Sequence, residues 1–205
     1  MFLQYHNLGL HSVSIPQLNK ILLNVTFWSS IHAKHALLFQ TDSLLLRDNI
    51  GQFLQYDYIG APWHTANERW QFMKSIIPEG VGNGGLSLRN NDAMIQLSRQ
   101  LGPSVADGLQ QEDFVYAMLL QYRPHSHIAP RSDAYQFCVE VPCEDVEDLT
   151  VTDGGCNPLT TLANVPTALH ATWYYFSSPE DRYKDLLKML EISVCGNICG
   201  ASTEA

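Results

Sequence analysis

The stretch Gly82-Asn83-Gly84-Gly85-Leu86-Ser87-Leu88-Arg89 constrains this chain more than any other. Three glycines and an asparagine within four residues, followed at once by alternating apolar and polar residues, predict a tight turn feeding a short strand. Side chains are nearly absent from the turn. Gly and Asn tolerate the positive φ that such a turn requires, and a backbone stripped of Cβ atoms can be approached closely by a ligand or by other main chain. Strand alternation then sends Ser87 and Arg89 to one face and Leu86 and Leu88 to the other, predicting one polar face and one core face.

The remaining pattern is that of a mixed α/β chain. Leu18, Ile21, Leu22, Val25 and Trp28 recur at three- and four-residue steps, predicting a helix over 15–28. Ala36-Leu37-Leu38-Phe39 is a short apolar run, expected to be a strand buried on both faces as in a parallel sheet. It stops at Gln40-Thr41-Asp42-Ser43, and polar residues at the carboxyl end of such a strand are where open α/β sheets place ligands. A short helix over 48–54, a strand or extended loop over 56–63 and an irregular flap over 64–81 lead to the glycine turn. Asn90, Asn91 and Asp92 offer caps for a helix that Gly102-Pro103 ends near Leu101. Another helix begins near Gln111 and is expected to send Phe114, Met118 and Leu119 into the core, with Glu112 and Asp113 in its first turn. Loops and short strands fill 130–177, and Pro179 opens a last amphipathic helix.

Composition narrows the function classes. A chain of 205 residues with 45% hydrophobic and 16% charged residues is globular, and nothing divides it into two domains. The net charge of −9 excludes the basic surface by which proteins hold nucleic acid, and instead suits a cation-assisted site. No window reaches the roughly 20 apolar residues of a membrane span, and the opening residues do not read as a signal peptide. Five cysteines, Cys138, Cys143, Cys156, Cys195 and Cys199, form no CxxC pair and read as ordinary thiols, with a Cys143–Cys156 disulfide open to an oxidising compartment.

Four polar signals stand in order: Asp42 after a strand, the glycine stretch, Glu112-Asp113 at a helix start, and His170 near Trp173. Taken singly, each matches an ordinary cap, turn or packed histidine. In order, Phe39-Gln40-Thr41-Asp42-Ser43, Tyr56-Asp57-Tyr58-Ile59-Gly60-Ala61-Pro62-Trp63, Gly82 to Arg89 and Glu112-Asp113 resemble the signature of an uncharacterised domain family regarded as GT-A-type glycosyltransferases, over about residues 15–175. The resemblance implies a single GT-A-like, Rossmann-related α/β/α sandwich with a mixed central sheet over 1–205, residues 178–205 being a C-terminal helix and tail. It implies transfer of a sugar from a nucleotide-sugar donor to a glycan or other hydroxyl acceptor, in an inverting displacement.

On that resemblance Asp42 and His170 would hold a divalent cation, Mn or Mg, on the donor diphosphate. Gly82, Asn83, Gly84, Gly85 and Arg89 would shape the sugar site, Trp63 or Trp173 would stack on a sugar face, and Glu112 or Asp113 would be the general base. The chain reads Gln40-Thr41-Asp42 where the pattern carries two acids, so one ligand becomes a neutral amide oxygen and weaker metal affinity is expected. Only about 35 residues precede the first strand, short for the nucleotide-binding half of such a fold. The alternative expectation is therefore a truncated or non-catalytic carbohydrate-binding or scaffold domain, and a fuller N-terminus would fit a secretory-lumen enzyme. A third reading is a metal-dependent hydrolase using His125 and His127, whose spacing places both rings on one face if the segment is a strand.

Overall fold

The computed structural model describes residues 13–63, 73, 75–108, 110–140 and 166–171. Trp173, the helix expected from Pro179, every cysteine except Cys138 and most of the flap expected over 64–81 lie outside the described residues. Two helices open the described chain where one was expected, α1 (Ile15–Leu22) and α2 (Val25–Ser29). The break falls at Asn24, whose Oδ1 accepts from Thr26 N at 2.8 Å and caps the second helix. A side chain able to bond its own backbone competes with helix continuation, and the apolar period runs across that break unchanged.

The central sheet consists of β1 (His35–Phe39), β4 (Val81–Asn90) and β3 (Tyr58–Pro62) in the order β1-β4-β3, both pairings antiparallel. This corrects the parallel sheet expected from the apolar run at 36–39, since β1 is a half-buried edge strand. The glycine stretch is likewise not a turn before a strand. It is the first half of β4 itself, and its pairing with β3 shifts register on either side of Ala61. Gly82 sits there at φ +139°, and a Cβ on Gly60 would stand 2.2 Å from the Asn83 carbonyl oxygen, so glycine on each strand permits the bulge.

Both faces of this sheet are covered. On one, Leu86, Leu88, Ile59 and Val81 pack with Phe53 and with Ala134 and Phe137 of the helix Arg131–Phe137, an element not foreseen within the loops expected over 130–177. On the other, Trp28 and Tyr58 pack with Met94 and Leu97 of the helix Asn91–Gln100 and Tyr116 and Leu120 of the helix Glu112–Tyr122. The chain is thus a mixed α/β protein with helices on both faces of its main sheet. The face expected to be polar is a second core: Ser87 and Arg89 are both wholly buried.

The residues that the Glu112–Tyr122 helix buries are Glu112, Val115, Tyr116, Ala117 and Leu120, whereas Phe114, Met118 and Leu119 are half-buried, Leu119 still packing against the core. This helix is apolar almost all round, so periodicity leaves its rotation open. Glu112 sets it, because Val115, Tyr116 and Leu120 follow Glu112 at steps of three or four residues and share its inward face. His125 and His127 lie in the loop after this helix, with His125 at φ 62°, and both are exposed. The strand face that the hydrolase reading needed is not formed.

A second small sheet has the order β2-β6-β5, with β2 (Ser43–Leu45) antiparallel and β5 (Cys138–Val139) parallel to β6 (Ala168–His170). Its register pairs Ser43 with His170 and Val139 with Leu169. The residue before β2, the residue after β5 and the last residue of β6 therefore meet at one end of the sheet. These are Asp42, Glu140 and His170.

Candidate functional site

The three ends converge on the glycine half of β4. Gln40 N donates to the Gly85 carbonyl at 2.9 Å, and Ala171 N donates to the Asp42 carbonyl at 2.9 Å, tying both sheets together beside Gly85. His170 Nε2 stands 3.6 Å from Asp42 Oδ1 and 3.3 Å from Gln40 Oε1, while its Nδ1 stands 3.6 Å from Glu140 Oε1. The imidazole lies directly on Gly85, where a Cβ would be 2.0 Å from Nε2.

Gly84 makes room in the same way for the start of the next helix. A Cβ there would stand 2.7 Å from Glu112 Oε1 and 2.9 Å from Asp113 Cβ, and Gly84 N donates to Asp113 Oδ2 at 3.1 Å. At Gly82 the same atom would meet Ala117 Cβ at 2.9 Å and the Trp63 ring at 3.1 Å. The glycines were expected to admit a ligand to the backbone. Among the described residues they admit side chains of the protein, and so bring His170 and Asp113 against one strand.

Glu112 and Asp113 are adjacent in sequence but differ sharply in setting. Glu112 is held by Arg89 in a two-pronged ion pair, Nη1 to Oε2 at 2.5 Å and Nη2 to Oε1 at 3.0 Å. Arg89 Nε donates to Ser87 Oγ at 2.9 Å, and its guanidinium stacks 4.6 Å from the Tyr58 ring centroid. Burial disfavours the guanidinium's charge, but Glu112 outweighs this and holds Arg89 firmly protonated. Arg89 thus sits wholly buried behind the strand as a structural anchor, with its Nη2 beside Gly84, and Glu112 is fully engaged as its partner.

Among the described residues Asp113 is in no ion pair, and Arg89 acts on it only through space. Burial, and then the negative charge of Glu112, push its pKa up to about 6, against the pull of its hydrogen bonds from Phe114 N and Gly84 N. Glu140 is pushed up to about 7 by burial and then by Asp113 and Asp42. Burial holds His170 below its ordinary value, with Asp42 acting in the opposite direction. Asp42 and Glu140 flank the imidazole, and Glu140 feels both Asp42 and the Asp113 carboxylate beside Gly84, which makes a negative, partly desolvated cluster of the kind that perturbed titrations commonly mark.

Among the described residues, no group of three or more His, Cys, Asp or Glu side chains is arranged to hold a metal ion. Asp42 and His170 nonetheless offer two donors within 3.6 Å in a negative field. One carboxylate oxygen and one imidazole nitrogen would make only part of a divalent cation's shell, with substrate phosphates and water needed to complete it. Asp42, Asn83, Gly84, Gly85, Asp113 and His170 are thus brought together, with Trp63 packed against Gly82 at the edge. Glu140 was missed because it follows a two-residue strand with no motif around it, and only the parallel β5–β6 pairing reveals its place.

Fold and site together define a mixed α/β protein with an acidic, histidine-containing cluster on a bulged glycine strand. The chain belongs to the family described as "Protein of unknown function (DUF5672)", whose model matches residues 4–153. No curated protein and no solved structure matches it. No helix among the described residues is long and apolar enough to cross a membrane.

Proposed function

We propose that this chain is a GT-A-type glycosyltransferase domain that moves a sugar from a nucleotide-sugar donor to an acceptor hydroxyl, with Asp113 as general base. The observation that carries this reading is the meeting of Asp42, Asp113 and His170, three residues from distant parts of the chain, on the glycine half of β4. The ordered motifs at 39–43, 56–63, 82–89 and 112–113 support the same reading.

The chemistry is a single displacement. The acceptor oxygen attacks the anomeric carbon, its proton passes to Asp113, and the bond from that carbon to the diphosphate breaks with its electron pair left on the diphosphate oxygen. Asp113 is suited to this, since a carboxyl with a pKa of about 6 is mostly ionised at neutral pH yet more basic than an ordinary aspartate. Glu112 is occupied by Arg89, which favours Asp113 of the two. A divalent cation held by Asp42 and His170 would offset the charge that develops on the departing diphosphate.

A thermal-shift titration of the purified chain with nucleoside diphosphates and nucleotide sugars, with and without Mn²⁺, tests the proposal. One nucleotide at about 100 times its Kd should stabilise by about 2.7 kcal/mol, or roughly 5–10 °C, only with the cation, and Asp42→Ala should abolish the shift. Asp113→Asn should keep that binding while transfer falls by about 10²–10⁴-fold. A folded chain that responds to no nucleotide under either condition would overturn the assignment and leave a non-catalytic sugar-binding domain, testable with the free sugars.

A further inference from the structure

Glu140 has a defined place in this site that none of the roles above uses. Because β5 runs parallel to β6 with Val139 opposite Leu169, the next residue on each strand, Glu140 and His170, must also lie side by side. The two carboxylate oxygens reach different groups. Oε1 stands 3.6 Å from His170 Nδ1, and Oε2 accepts a hydrogen bond from Asn83 Nδ2. Asn83 is fixed at its other end, where Oδ1 accepts from Gly85 N at 3.0 Å, and Gly85 is the residue on which the imidazole rests. The loop of contacts closes: Glu140 to Asn83, Asn83 to Gly85, Gly85 to His170, and His170 back to Glu140.

The far edge of the ring then has a fixed outlook. Nε2 faces Gln40 Oε1 at 3.3 Å and Asp42 Oδ1 at 3.6 Å. The χ2 torsion of histidine is broad and roughly two-fold, so the side chain alone does not select this orientation. Turned by half a revolution about χ2, the ring would present Cε1 to Asp42 in place of Nε2.

We propose that Glu140 is a positioning residue that holds the imidazole of His170 with Nε2 toward Gln40 and Asp42, and that Asn83 holds Glu140 in turn. The orientation stands on the fold alone; its consequence for cation affinity rests on the function proposed above. Carboxylates behind a ligating histidine act in this way at metal sites, where removing one commonly weakens the metal by about 10–100-fold.

The test follows the ring nitrogens of His170 by long-range ¹H–¹⁵N correlation in the metal-free chain, with His170→Gln identifying the signals, and measures affinity for Mn²⁺ alone by calorimetry. In Glu140→Ala both ring-nitrogen signals should move, and Mn²⁺ should bind about 10–100-fold more weakly. Glu140→Gln, which keeps an oxygen for Asn83, should restore most of both. Asn83→Ala should shift the signals in the same direction as Glu140→Ala, and decides the question should Glu140→Ala not fold. A folded Glu140→Ala or Asn83→Ala chain with unmoved signals overturns the proposal. Signals that move while the parent chain binds no Mn²⁺ would uphold the positioning role and refute the cation, so the two failures are distinct.

Discussion

The two ends of β4 carry charge in opposite ways. At Arg89 the strand buries a guanidinium completely, and Glu112, Ser87 and three aromatic rings satisfy it. Four to seven residues earlier, around Gly82 to Gly85, Asp42 and Glu140 flank His170 and Asp113 lies against Gly84, and among the described residues none of these three carboxylates is in an ion pair with a guanidinium or ammonium. One end is a closed pair, whose desolvation is offset by an opposite charge in contact. The other is an open negative field, in which carboxyl pKa values rise to about 6 and about 7. Compensated charge organises the fold, and the raised carboxyls at the other end support the reading proposed above.

The comparison is broken most severely at the closed pair. Arg89→Met should destabilise the chain by about 3–5 kcal/mol, because Glu112 would remain buried without its partner. The double change Arg89→Met with Glu112→Leu should cost less than the single one, since it removes both charges and leaves apolar groups of similar volume among Trp28, Tyr58 and Tyr116. Urea unfolding of the three chains measures the difference. A double variant no more stable than the single one would mean that the pair is held by something other than mutual compensation.

Gly85→Ala acts at the open end. The new Cβ would fall 2.0 Å from His170 Nε2, so the imidazole must leave the strand and lose its outlook on Gln40 and Asp42. Overpacking of this kind costs about 1–3 kcal/mol. The stability loss should be smaller than that of Arg89→Met, whereas Mn²⁺ affinity should be lost altogether. Calorimetry with Mn²⁺ on the folded variant checks this, and retained affinity would show that His170 is not part of the cation's shell.

Much of this contrast was legible in the sequence, but not its sense. The alternation of Leu86, Ser87, Leu88 and Arg89 fixes their faces correctly, yet nothing local says that the Ser87–Arg89 face lies under a second helical layer. That depends on Trp28 and Tyr116, which are distant in the chain. Asp42, Asp113 and His170 could be singled out by their order among motifs. Choosing Asp113 over Glu112 could not be done, because two adjacent acids at a helix start look alike until the rotation of the helix is known. The antiparallel pairing of β1 escaped prediction because a five-residue apolar strand has the same composition in either kind of sheet. Glu140 left no trace, since its position is created by strand register between residues about 30 apart.

The smallest effect sharpens the comparison without breaking the fold. A carboxyl whose folded pKa lies above its unfolded value binds protons more readily in the native chain. Its contribution to stability is therefore fully present below the unfolded value, near 4, and is lost as pH rises through the folded value of about 6. One pKa unit corresponds to about 1.4 kcal/mol, so the share of Asp113 changes by on the order of 1 kcal/mol per pH unit within this window. Asp113→Asn removes that share. It also loses one of the two backbone hydrogen bonds that the carboxylate accepts, from Gly84 N and Phe114 N, which shifts its stability at every pH. The informative quantity is thus the slope: in metal-free buffer the variant should gain on the parent chain as pH rises from about 4 to 7.5. Parallel pH profiles for Asp113→Asn and the parent would mean that Asp113 is as well compensated as its neighbour, and the contrast between the two ends of the strand would disappear.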